Sequence, residues 1–126
     1  MKIAVILTSD PTTCSTSDEA LGRALNALVL THEAKHRGDD VTLQFFGAGV
    51  RWAIELANAD HPGHALYTAV QDRVGGASVG CANLRDLADQ LSASGVELLG
   101  DYELPGGNRT GSIARLMADG YQIVTF

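Results

Sequence analysis

The sequence predicts an α/β fold, three layers of α/β/α built around a five-stranded parallel sheet. Three observations carry that reading. Short apolar runs alternate with segments of helical periodicity along the whole chain. Four of the five runs are β-branched or aromatic and lack in/out alternation, the pattern of strands covered on both faces. A helical segment separates successive runs, and such crossovers join parallel strands and place helices on both faces of the sheet. The chain has 126 residues, 45% apolar and 19% charged, so residues 1–126 are taken as one domain with material for a proper core.

In order, the predicted strands are Lys2–Thr8, Val41–Phe46, Ala77–Cys81, Val96–Leu99 and Tyr121–Phe126. Thr16-Ser17-Asp18-Glu19 is a capping box opening the first helix, which runs to about Arg37 and stops at Gly38. Its apolar stripe is Leu21, Ala24, Leu25 and Leu28. Two shorter helices, about Val50–Asn58 and Ala65–Val74, flank "ADHPGH", whose His61 and His64 read as a solvated turn. A fourth helix starts after Asn83 as N-cap, with Leu84, Leu87, Ala88 and Leu91 as its stripe. The last spans about Ser112–Asp119 and stops at Gly120.

Composition excludes several classes of function. Net charge is −6, and the nine basic residues are scattered singly, so the footprint of a nucleic-acid binder is missing. No run approaches the roughly 18 apolar residues of a membrane span. The opening "MKIAVILTSDP" is too short in apolar residues for a signal-peptide core, so a cytoplasmic protein is expected. Cys14 and Cys81 form no CxxC pair, and in a reducing compartment they are expected as free thiols.

Three motifs invite chemistry and fail on context. His32-Glu33-Ala34-Lys35-His36 matches H-E-x-x-H, where two histidines bind zinc and the glutamate activates the metal-bound water. Ligands of parallel α/β sheets bind at the edge where strands end and helices begin. These histidines sit in the last two turns of the first helix, at the opposite edge. The extended motif would need Gly and His where Asp39 and Thr42 stand, and Glu55, a conceivable third ligand, lies on another helix. No zinc-protease centre and no metal site are expected. Gly47-x-Gly49 has Trp52 where a dinucleotide fingerprint needs its third glycine. Gly106 and Gly111 are spaced as in a P-loop, but Ser112 replaces the phosphate-binding lysine. No cofactor is expected.

The remaining candidates lie at the strand C-terminal edge. Cys81 ends the predicted third strand just before a helix N-terminus, whose partial positive charge favours a thiolate, with Arg85 one turn in. The competing reading is a small buried hydrophobe. Cys14, in "TSDPTTCSTSD", follows the first strand and is either a resolving thiol or a plain loop residue. In "LPGGNRTGS", the backbone amides of Gly111 and Ser112 beside Arg109 could cradle an anion. The competing reading there is a long turn with Thr110 as N-cap.

"HRGDDVTLQFFGAGV" resembles the second-strand signature of DsrE/DsrF-like proteins, where "GHEV-x-x-FFFGDGV" is typical. "ASVGCANLRDLADQLSASGVELL" is similar to that family's cysteine strand, helix and following strand, and "SIARLMADGYQIVTF" to its C-terminal helix and strand. The resemblance implies an α/β/α fold, assembly into trimers or hexamers, and sulfur transfer. In active members a cysteine matching Cys81 carries sulfane sulfur as a persulfide and hands it to a partner protein. The expectation is thus a sulfur relay with protein donors and acceptors and with itself as a homo-oligomer. Trp52 and the helices flanking "ADHPGH" are its expected contact surface. The alternative is a non-catalytic oligomeric subunit or an anion-binding module on the Arg109–Ser112 loop.

Overall fold

The computed structural model describes residues 1–12 and 17–126. The chain forms β1 (Lys2–Leu7), α1 (Ser17–Arg37), β2 (Asp40–Phe45), α2 (Trp52–Glu55) and α3 (His64–Val70). There follow β3 (Val74–Ser78), α4 (Val79–Leu84), α5 (Ala88–Ala93), β4 (Leu98–Leu99), β5 (Tyr102–Glu103), β6 (Arg109–Thr110), α6 (Ile113–Ala118) and β7 (Gln122–Thr125). Single 3-10 turns, Gly47–Arg51 and Gln71–Arg73, precede α2 and β3. The main sheet has five parallel strands in the order β4-β3-β2-β1-β7. With helices on both faces, this is the α/β/α architecture. No helix among the described residues is long and apolar enough to cross a membrane.

Register explains the core. Pairing Ile3, Val5 and Leu7 with Val41, Leu43 and Phe45 aligns these side chains on one face. There they pack against Ala20, Ala24, Ala27 and Leu28 of α1, and against Trp52, Leu56, Tyr67, Val70 and Leu91. The buried stripe of α1 is therefore mostly alanine, while Leu21 and Leu25 flank it half-buried. Small residues let the helix axis come close to the sheet. Acidic residues in its first turn and Lys35, His36 and Arg37 in its last complement the helix dipole. Gly38, at φ +84°, ends it. The capping box expected at Thr16 lies outside the described residues.

The opposite face is thinner. Ala4, Ile6 and Phe46 are buried there under Ile113, Leu116, Tyr121 and Ile123. Coverage on both faces holds for β1 but not for β2, where Thr42 and Gln44 remain half-buried. The six residues of α6 are too few to span the sheet.

Three expectations need correction. The third strand starts at Val74 and ends at Ser78, so Cys81 does not end it. Gly75 and Gly76, left between the predicted helix and strand, belong to the strand. A Cβ at Gly75 would collide with the Thr42 hydroxyl, and Gly76, at φ +142°, faces the Glu97 carbonyl. The helix then starts at Val79 with Ser78 in the N-cap position, not Asn83, and it breaks where Asp86 turns to φ +57°. Trp52 is 2% exposed and its indole N–H donates to Ser9 Oγ, 3.1 Å, so it is core and not a contact surface.

Candidate functional site

Cys81 lies in the first turn of α4, half-buried, at the C-terminal edge of the sheet. Its surroundings are set by Ser78, the last residue of β3. Ser78 is fully buried, and its hydroxyl does not cap α4. It bonds instead to Thr110 Oγ1 at 2.6 Å and accepts the Gly111 amide at 3.2 Å. These two bonds tie the antiparallel β5–β6 hairpin to the sheet edge. The hairpin closes through Leu104 N to Asn108 O and Gly107 N to Leu104 O, 2.6 and 3.0 Å. Gly106 and Gly107, both at φ +92°, supply the left-handed turn between them.

The hairpin crosses directly over α4. A Cβ on Gly80 would stand 2.5 Å from the Arg109 carbonyl oxygen, so only glycine permits the approach. What remains between the two elements is an open cleft of about 480 Å³. Gly80, Cys81, Asn83 and Leu84 line one wall, and Leu104, Asn108 and Thr110 the other. Leu84 is 82% exposed and Leu104 39%, an apolar rim beside the thiol. None of the seven lining residues carries a charge.

The cations expected near this site are engaged by backbone carbonyl oxygens. Arg85 Nη1 donates to the Cys81 carbonyl oxygen at 3.1 Å, bracing the backbone of the turn. Arg109 Nε donates to the Gly100 carbonyl oxygen. The anion cradle expected at Arg109–Ser112 is likewise filled from within. The Gly111 amide is taken by Ser78, and the Ser112 amide donates to Asp101 Oδ1 at 3.0 Å. A carboxylate of the protein thus occupies the place of an external anion. Thr110 belongs to β6, and Ser112 caps α6 by accepting the Arg115 amide at 3.1 Å. Cys14 lies outside the described residues.

Sequence reasoning brought Cys81 and Thr110 to one place but missed Ser78, Leu84 and Leu104 as parts of it. Ser78 carried a usable signal, a serine just before a helix, which is a preferred N-cap type. Nothing local marks the two leucines, because the hairpin that sets them face to face is held by tertiary bonds.

The H-E-x-x-H histidines lie at the far end of α1, near the strand N-termini, where Asp40 N meets Met1 O at 3.0 Å. Among the described residues no three His, Cys, Asp or Glu side chains converge as metal ligands, so neither Glu33 nor Glu55 completes a centre with them. His61 and His64 pin their turn rather than simply facing solvent. His61 Nδ1 accepts from the Gly63 amide at 3.0 Å, and His64 Nδ1 lies 2.8 Å from the Leu56 carbonyl oxygen.

No family model and no curated protein matches the chain. Among solved structures, a conserved protein of unknown function from Bacteroides thetaiotaomicron is similar, with a TM-score of 0.55 and 13% identity. The alignment covers 98% of this chain and 94% of that one. A likeness at that identity, end to end in both chains, is one of fold.

Proposed function

We propose that the protein is a cytoplasmic sulfur relay in which Cys81 carries sulfane sulfur. The observation that supports this best is the open, uncharged cleft between α4 and the β5–β6 hairpin, whose wall includes the half-buried Cys81. The thiolate of Cys81 attacks the outer sulfur of a donor persulfide. The donor S–S bond breaks, the donor leaves as its thiolate, and Cys81 becomes the persulfide. An acceptor thiolate then attacks that terminal sulfur and Cys81 leaves in turn. Sulfane sulfur moves between thiols, so each step balances without an external oxidant, metal or organic cofactor.

The apolar rim of Leu84 and Leu104 suits protein donors and acceptors better than small anions, for which the cleft offers no counter-charge. A homo-oligomer, with a trimer or hexamer favoured, uses the helices flanking "ADHPGH" without the buried Trp52, which leaves the rim free for donors and acceptors. The anion-module alternative at Arg109–Ser112 loses support, because Ser78 and Asp101 already hold its amides. A non-catalytic subunit remains the competing reading.

Sulfur loading separates the two. Protein isolated from cells is expected to carry one added sulfur atom on Cys81 by peptide mass spectrometry. Cys81→Ser is expected to lose transfer of isotopically labelled sulfur from a persulfide donor while keeping its fold, because serine is nearly isosteric at a half-exposed position. Equal loading of wild type and Cys81→Ser would remove the carrier and leave the non-catalytic subunit.

A further inference from the structure

His32 and His36 stand one turn apart on α1, so their side chains share a face. Their Nε2 atoms lie 3.0 Å apart. The ring centroids are separated by 4.3 Å and the planes cross at 54°. Among the described residues this contact is the only hydrogen bond that either ring makes. His61 and His64 differ, since each has a ring nitrogen committed to the backbone.

We propose that His32 and His36 form a two-nitrogen chelate for a late transition-metal ion of tetragonal preference, Ni²⁺ or Cu²⁺. Imidazole–metal bonds are about 2.0–2.1 Å long, so nitrogens 3.0 Å apart subtend roughly 91–97° at a shared ion. That is the cis angle of square-planar and octahedral coordination, narrower than a tetrahedral zinc site requires. One Nε2 carries the proton of the present hydrogen bond. That ring shifts it to Nδ1 through water as the ion binds, so both coordinate as neutral imidazoles through Nε2, and the helix holds the two nitrogens at one turn's spacing before any ion arrives. With no third protein ligand among the described residues, the other positions fall to water, which makes the site open and exchangeable. Glu33 follows His32 by one residue and is turned about 100° around the helix, so it stays off the chelating face. The H-E-x-x-H string thus supplies two ligands without the geometry of a protease.

Ni²⁺ is the probe, because it does not oxidise thiols as Cu²⁺ does. Calorimetric titration of the full chain with NiCl2, in a Cys14→Ser/Cys81→Ser background that removes competing thiolates, is expected to show one ion per chain. Affinity should fall at least about tenfold in His36→Ala and in His32→Ala, the lower bound seen even for loss of an outer-shell partner. Ni²⁺ should also raise the melting temperature, since the paired donors exist only in the folded helix, and both variants should lose that rise. A His61→Ala/His64→Ala chain should keep both effects. In the wild-type chain, Ni²⁺ should broaden the imidazole proton resonances of His32 and His36 before those of His61 and His64, a readout independent of the serine substitutions. Unchanged affinity in His36→Ala, loss in the His61/His64 control instead, or no Ni²⁺ binding would overturn the proposal.

Discussion

The access of Cys81 depends on a neighbour without a side chain. Gly80 allows the Arg109 carbonyl to come within 2.5 Å of where a Cβ would stand, and the cleft keeps its shape because the hairpin rests there. A methyl group at this position meets backbone, which cannot rotate aside as a side-chain end can. Gly80→Ala should therefore lift the hairpin, destabilise the fold by about 1–3 kcal/mol as overpacking does, and speed alkylation of Cys81 by opening one wall of its cleft. Denaturant unfolding and iodoacetamide labelling rates check the two effects together. Faster labelling with unchanged stability would mean that the hairpin contact contributes little to the fold.

At the scale of elements, legibility followed locality. β1, α1 and β2 could be read from sequence because their signals are local: apolar runs, a 3.6-residue period, acidic and basic ends, and Gly38 as terminator. β3 was misplaced because Gly75 and Gly76 suit a turn in isolation, and only the approach of Thr42 and Glu97 reveals why a strand contains them. The start of α4 was misplaced with it, and Cys81 moved from a strand end into a helical turn. The β5–β6 hairpin has two-residue strands that carry no pattern, and it depends on distant partners. Its attachment can be tested directly. Ser78→Ala should leave the Thr110 hydroxyl and Gly111 amide short of a partner and cost about 1–3 kcal/mol. Thr110→Val on top of it should cost less than the sum of the two single changes, since both remove the same bond. Strict additivity in denaturant unfolding would show that the hydroxyl pair is not coupled in solution.

For the whole molecule, the charges that respond to folding bracket its stability in pH. Asp10 is held below the ordinary aspartate value of 3.8, first by the Thr12 amide and hydroxyl and then by Arg51. Asp39 is lowered by its hydrogen bond to the N-terminal ammonium, and Asp72 by Lys35. Carboxyls lowered on folding add stability above the unfolded value, and that stability is lost as pH falls below about 4 through their folded values. Tyr67 works from the other side. It is 2% exposed, and burial raises its phenol above 10.0. Below pH 10 the phenol is neutral in both states and costs nothing. As pH climbs past 10 the unfolded chain ionises first, so stability falls until the folded phenol ionises too. Tyr121 adds to this limb, raised by partial burial and then by the charge of Asp40. Melting temperature against pH should thus decline on both flanks, and Tyr67→Phe should flatten the alkaline one while leaving the acid one in place. Comparing the two chains at each pH isolates Tyr67 from the lysines and thiols that also titrate there. An alkaline limb identical in both chains would mean that the Tyr67 hydroxyl keeps its hydration in the folded state.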